Sequence, residues 1–179
     1  MTKKRCSWVE GKEDIYVKYH DEEWGVPKYD DDILFEMLVL ESFQAGLSWI
    51  TILKKREAFR KAFDNFDMEK IINYDEDKIN ELLENKDIIR NKGKINATVS
   101  NAKVFMEIQK EYGSFSDYIW GFTDGEIIKA EYKTNSELSD KIAKDLKKKG
   151  MKYVGTTIIY SYLESIGIID NHTEECYKY

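Results

Sequence analysis

What most limits how this 179-residue chain can fold is the placement of its metal-ligating side chains. It holds two Cys and two His. Cys6 and His20 stand near one end and His172 and Cys176 near the other, with neither type between positions 20 and 172. Two thiolates and two imidazoles make a closed tetrahedral zinc set. Residues four apart share one face of a helix or tight turn, so His172 and Cys176 can act as one half of it. Such a site ties the chain ends together and leaves no position for water, which makes it structural rather than catalytic. Two other readings stand beside it: four unrelated residues, or a Cys6–Cys176 disulfide, which a reducing compartment disfavours.

No apolar run approaches the ~18 residues of a membrane span. The opening residues, MTKKRCSWVEGKED, lack the apolar stretch of a secretory signal. A cytoplasmic protein with no membrane partner is expected. The formal charge of −6 weighs mildly against a nucleic-acid partner. Bases nevertheless cluster at 54–61, 90–94 and 147–152, and an acidic domain can carry a basic face.

Helix signals dominate and strand signals are almost absent, so the expected fold class is all-α, one domain over residues 1–179 with two helical lobes. Asp30, Asp31 and Asp32 offer N-caps for a first helix with Ile33, Leu34, Met37 and Leu38 on one face. Gly46 ends it, and Ser48 caps a second helix from about Trp49 to Phe63, with Ile52, Phe59 and Phe63 inward. Asp67 and Asp75 cap two short helices. Gly93 precedes a long one over 94–112, and Gly113 stops it. Residues 121–135 read as an irregular loop. Ser136 then caps a helix ending in Lys147, Lys148 and Lys149, and Gly155 opens another.

Within the stretch LESFQAGLSWITILKKR, 40–56, Glu41 is a lone carboxylate in an apolar run. Trp49 follows the Ala45-Gly46 break, and Lys54-Lys55-Arg56 would suit a phosphate or form a solvated face. An acid beside an indole can hold a flat, electron-poor ligand. Tyr16, Tyr19 and Trp24 lie before the first expected helix, and with Trp49 they could form an aromatic cage over Glu41, suited to a cationic planar group. The plainer reading of Glu41 is a helix-edge acid paired to a lysine. Near the other end, LKKKGMKYVGTTIIYSYL is a helix, a Gly-bearing turn and a helix. Its backbone N–H groups near Lys152, Gly155 and Thr156 could hold a DNA phosphate, or the lysines could simply be solvated.

Taken in order, CSW at 6–8, YHDEEWGVP at 19–27, QAGLSWITILKKRE at 44–57, RNKGK at 90–94, the 150–157 hairpin and the His172/Cys176 pair resemble the 3-methyladenine DNA glycosylase I family, constitutive bacterial alkylation-repair enzymes. The resemblance covers nearly the whole chain, except 121–140. It implies a helix-hairpin-helix glycosylase fold and one structural zinc held by Cys6, His20, His172 and Cys176. It also implies a base pocket of Glu41 with Tyr16, Tyr19, Trp24 and Trp49 as walls and Trp8 behind them. The substrate would be double-stranded alkylated DNA and the products free 3-methyladenine and an abasic site, without strand cleavage, from a monomer. Gln44, Gly46 and Leu47 would meet the DNA at the helix break, with Leu47 as wedge. Ionised Glu41 would favour the cationic base, and Asp170 would orient a zinc ligand rather than act in catalysis.

Overall fold

The computed structural model describes residues 3–179. Nine α-helices occur among them, with one pair of two-residue strands. After a 3-10 turn at Ser7–Val9, helix α1 runs over Asp14–Glu22. It carries Tyr16, Tyr19 and His20, which the sequence pattern places ahead of any helix.

Helix α2, Asp31–Gln44, is the central element. The Asp30 carboxylate accepts the N–H groups of Asp32 and Ile33 at 3.0 and 3.1 Å, so the N-cap is the expected one. The apolar face differs from the expected stripe. Ile33 is exposed, while Leu34, Phe35 and every residue from Met37 to Phe43 are buried. A helix apolar on nearly all sides must be enclosed, and α2 is packed by its neighbours α3 (Trp49–Ala62), α6 (Lys92–Tyr112), α7 (Phe115–Gly121) and α9 (Thr156–Ser165). Asp31 serves a different helix. Its carboxylate accepts the N–H groups of Phe115 and Ser116 at 2.9 and 2.8 Å, capping α7 from another element.

In α3 the side chains of Ile52 and Phe59 are buried, as is Phe63 just beyond it. Ser48 occupies the N-cap without a capping hydrogen bond; its hydroxyl lies 2.8 Å from Thr51 Oγ1 instead. Helices α4 (Met68–Ile71) and α5 (Glu76–Glu84) are capped by Asp67 and Asp75. Helix α6 starts two residues before the expected Lys94, because Asn91 is its cap and accepts the Lys94 N–H at 3.0 Å. Helix α8, Glu137–Lys148, begins in a capping box of Ser136 and Ser139. Strands β1 (Ile128–Lys129) and β2 (Ile169–Asp170) pair in parallel and tie the 121–135 segment to the C-terminal part of the chain.

The WGVP turn docks on the end of α9. Gly25 N–H donates to the Glu164 carbonyl at 3.0 Å, and Lys28 N–H to that of Ile166 at 2.9 Å. Lys28 Nζ reaches the carbonyls of Glu23, Val26 and Ser165 at 2.7, 3.2 and 2.6 Å. Burial pulls that ammonium down to about 8. The approach depends on Gly167, whose φ is +80° and whose added Cβ would overlap the Val26–Pro27 backbone. Gly167→Ala is therefore expected to destabilise the fold by roughly 2 kcal/mol or more, from left-handed strain plus backbone displacement. Urea unfolding of the variant measures this.

Candidate functional site

The C-terminal end of α2 and the start of α3 form one rim of a cavity of about 410 Å³. Five side chains singled out in the sequence line it together: Glu41, Tyr16, Tyr19, Trp24 and Trp49. Tyr19 and Trp49 stand 5.5 Å apart by ring centroids. Trp8 packs against Tyr16 and Trp24 at 4.9 and 5.0 Å, and also reaches the cavity itself. Gln44 lines the rim, while Leu47 is exposed on the turn between α2 and α3. That turn, with Gly46 at φ +80°, is pinned from α6. Lys94 Nζ donates to the carbonyls of Phe43 and Ala45 at 3.0 and 3.2 Å, satisfying part of the exposed end of α2.

Glu41 is 2% exposed, and its Oε2 has no hydrogen-bond partner among the described residues. The lysine-paired reading of this acid thus fails. Burial pushes the carboxyl well above the usual carboxylate range, and the nearby Glu164 adds to the shift. By itself the group favours its neutral form, against the expectation of a standing carboxylate. A cation in contact would favour the ionised form. The Trp49 indole Nε1 is likewise buried and unpartnered. One acid and one N–H donor without partners thus belong to side chains that line the same cavity.

Other lining residues carry no signal in the motifs, among them Tyr132, Ser161, Glu164 and Asn171. Tyr132 comes from the 121–135 loop, which Asn171 anchors by donating Nδ2–H to the Ala130 carbonyl at 2.6 Å. Glu164 projects from α9, where an acid inside the apolar run IIYSYLES could have been found by the argument that singled out Glu41.

Behind the aromatic wall, Cys6, His20 and Cys176 each offer a ligand atom, all within 4.8 Å of one another. Both thiols are free, against the disulfide reading. His172 stands beside this group, its ring 5.3 Å from that of His20. Cys176 lies on a turn, its N–H donating to the Thr173 carbonyl at 2.8 Å. His20 Nδ1 is 2.8 Å from Asp21 Oδ1, and His172 Nδ1 is 2.6 Å from Asp170 Oδ1. Asp21 thus holds the His20 ring with Nε2 3.5 Å from Cys176 Sγ, and Asp170 holds His172 through its Nδ1, arrangements that favour metal binding. The His172 Nε2 is buried and has no partner, which fits an absent electrophile. Gly25 permits the approach: its φ is +70°, and an added Cβ would lie 2.8 Å from His172 Cε1. The wall and the cluster are in contact, since Trp24 meets the His172 ring at 4.6 Å and Trp8 meets that of His20 at 5.4 Å.

The remaining basic groups divide. Arg56 is not a phosphate site. It is largely buried and bonds Glu23 and Glu36, each at 2.7 Å, while Lys54 pairs with Glu13 at 2.6 Å. In the hairpin between α8 and α9, Asn101 clasps the backbone of Lys152 through bonds of 2.9 Å to both its N–H and its carbonyl. The Lys152 side chain is exposed and Gly155 is the N-cap of α9. The Thr156 hydroxyl lies 2.8 Å from Ser139 Oγ, within the packing of the hairpin.

A mostly helical protein with an unpaired acid beneath aromatic rings has the makings of a receptor for a flat, positively charged ring. Comparison with known proteins makes the class specific. A family model described as methyladenine glycosylase matches residues 8–179. DNA-3-methyladenine glycosylase 1 of Escherichia coli is 41% identical over 181 residues, covering 98% of this chain and 96% of that one. DNA-3-methyladenine glycosylase of Haemophilus influenzae is 42% identical over 178 residues, 96% of each chain. A crystal structure of 3-methyladenine DNA glycosylase I superposes with a TM-score of 0.93 at 44% identity, covering 97% of this chain and 98% of that one. The Staphylococcus aureus enzyme, solved for the structural basis of 3-methyladenine recognition, gives 0.92 at 36% identity over 97% and 95%. The chain belongs to the methyladenine glycosylase family.

Proposed function

We propose that this protein hydrolyses the N-glycosidic bond of 3-methyladenine in alkylated double-stranded DNA, releasing the free base and leaving an abasic site. The observation that carries the reading is Glu41, a buried acid with an unpartnered oxygen in a cavity walled by Tyr16, Tyr19, Trp24 and Trp49. A base reaches such a cavity only by leaving the duplex, at a cost of a few kcal/mol. Methylation at N3 gives the base a positive charge, so it needs no protonation to leave. The glycosidic electron pair returns to the ring and neutralises it, while water adds to C1′ and gives up a proton to solvent. The role we assign to Glu41 is to accept hydrogen bonds from the cationic adenine and to stabilise the oxocarbenium-like sugar. Among the described residues no lysine lines the cavity, and the reaction we propose does not include strand cleavage.

We read α8, its turn and α9 as a helix-hairpin-helix in which Lys152 and the N–H groups near Gly155 and Thr156 hold a phosphate. Gln44, Gly46 and Leu47 meet the gap left by the flipped base, and the exposed Leu47 suits a wedge. We assign zinc to the cluster of Cys6, His20 and Cys176, with His172 as the fourth ligand on the strength of its orphaned Nε2. Bound zinc would supply a cross-link, with no open site for water.

The test is incubation with methylated duplex DNA and chromatography of the soluble products. Free 3-methyladenine should appear, and the strand should break only after alkali. DNA binding without release would make the protein a reader of modified bases. Trp49→Ala should weaken binding of free 3-methyladenine by ~1–3 kcal/mol, the scale of one lost stacking partner. An unchanged titration would remove Trp49 from the cage.

A further inference from the structure

Two acids and no basic side chain line the cavity among the described residues: Glu41 from α2 and Glu164 from α9. Glu164 is 6% exposed and lies in a helix whose other buried side chains include Ile159, Tyr160, Tyr162 and Leu163. A buried carboxyl costs stability unless it is paired. No cation offsets it: besides burial, the neighbour that bears on it is the Trp24 indole, which favours the charged form. Its backbone carbonyl holds the Gly25 N–H, but any residue supplies that group. The packing therefore gives no reason for an acid rather than an amide at this place.

Resting on the base-pocket reading, we propose that Glu164 is a second specificity-determining acid of the cavity, which with Glu41 selects a cationic purine over a neutral one. Burial pushes Glu164 up to about 8, and its presence raises Glu41 further. Each acid opposes ionisation of the other, and a positive ring bound beside them relieves that repulsion. A neutral ring gains only the stacking on Trp49 and Tyr19. Undamaged adenine would be refused by charge as well as by shape.

Binding of 3,9-dimethyladeninium, a fixed cation with methyl in place of the sugar, is compared calorimetrically with that of neutral 9-methyladenine. Wild-type protein should prefer the cation. Glu164→Gln should narrow that preference about tenfold, the scale of one charge acting over roughly 10 Å through a partly screened medium. Glu164→Met, similar in length and without hydrogen bonds, should narrow it as much. A purely structural role would weaken both ligands alike or neither, and an unchanged ratio in the two variants overturns the proposal. So does loss of folding in both, which would make Glu164 a structural group. If wild-type protein binds neither ligand, the base-pocket reading itself has failed, an outcome distinct from binding with an unaltered ratio.

Discussion

Glu41→Gln is expected to lower excision of 3-methyladenine by about 10²–10³-fold, the usual cost of removing one preorganised electrostatic group from an active site. The amide keeps the shape and the ability to accept a hydrogen bond but cannot carry charge. The loss would thus isolate the ionised form of the carboxyl. The fold should not suffer. Glu41 is fully enclosed, one of its oxygens has no partner, and its pKa is raised by burial and by Glu164. A group of this kind detracts from stability wherever the unfolded carboxyl is ionised, above its ordinary value of 4.5. At neutral pH the glutamine variant should therefore unfold no earlier than the wild type, and below about pH 4 the two should converge. Affinity for duplex DNA, set by contacts elsewhere, should be little changed. Single-turnover excision, thermal unfolding at two pH values and DNA titration check the three parts. An unaltered excision rate would remove Glu41 from the mechanism.

On the zinc reading proposed above, loss of the metal is the second large effect. Zinc binding can contribute ~10–16 kcal/mol to the folding of small zinc-finger domains. A 179-residue chain with a broad core depends on it less, and chelation at neutral pH should lower stability by several kcal/mol without complete unfolding. Cys176→Ser should do the same and abolish stoichiometric metal in elemental analysis. Because Trp24 and Trp8 lean on the His172 and His20 rings, the metal-free protein should also bind free base more weakly. A metal-free protein with unchanged unfolding and unchanged base affinity would show that the cluster neither stabilises the fold nor supports the wall.

Local chemistry accounts for much of what could be read ahead of the structure. Helix caps such as Asp30, Asp67, Asp75 and Ser136 act on the residues just after them, so short-range pattern finds them. Glu41 stands out because an acid within LVLESF has no local reason to be there. Helix α1 is different: DIYVKYHDE is mostly polar, with its rings turned to Trp8, Trp49 and His172 from other parts of the chain, and periodicity carries no trace of that. Ile33 looks like a core residue until α7 and α9 are seen to surround α2 on other sides. Arg56 looks like a phosphate ligand until Glu23 and Glu36 meet it. Tyr132 and Asn171 reach the cavity through the β1–β2 pairing, a tertiary contact that neither stretch announces. Glu164 is legible by the same logic as Glu41, but only once α9 is recognised as a cavity wall and not merely half of a hairpin.

The meeting of residues so far apart in the sequence bears on how the protein is made. Lys4 and Tyr177 share a backbone hydrogen bond of 2.9 Å, and Lys178 Nζ reaches the Asp21 carbonyl at 2.8 Å. Trp8 and Trp24 leave the ribosome long before Glu164, Asn171 and Cys176. A nascent chain can form α2 to α6 as it appears, but the cavity stays open-sided until α9 and the residues after it have been made. A chain stopped before Asn171 would keep much of the helical body and lack one side of the cavity.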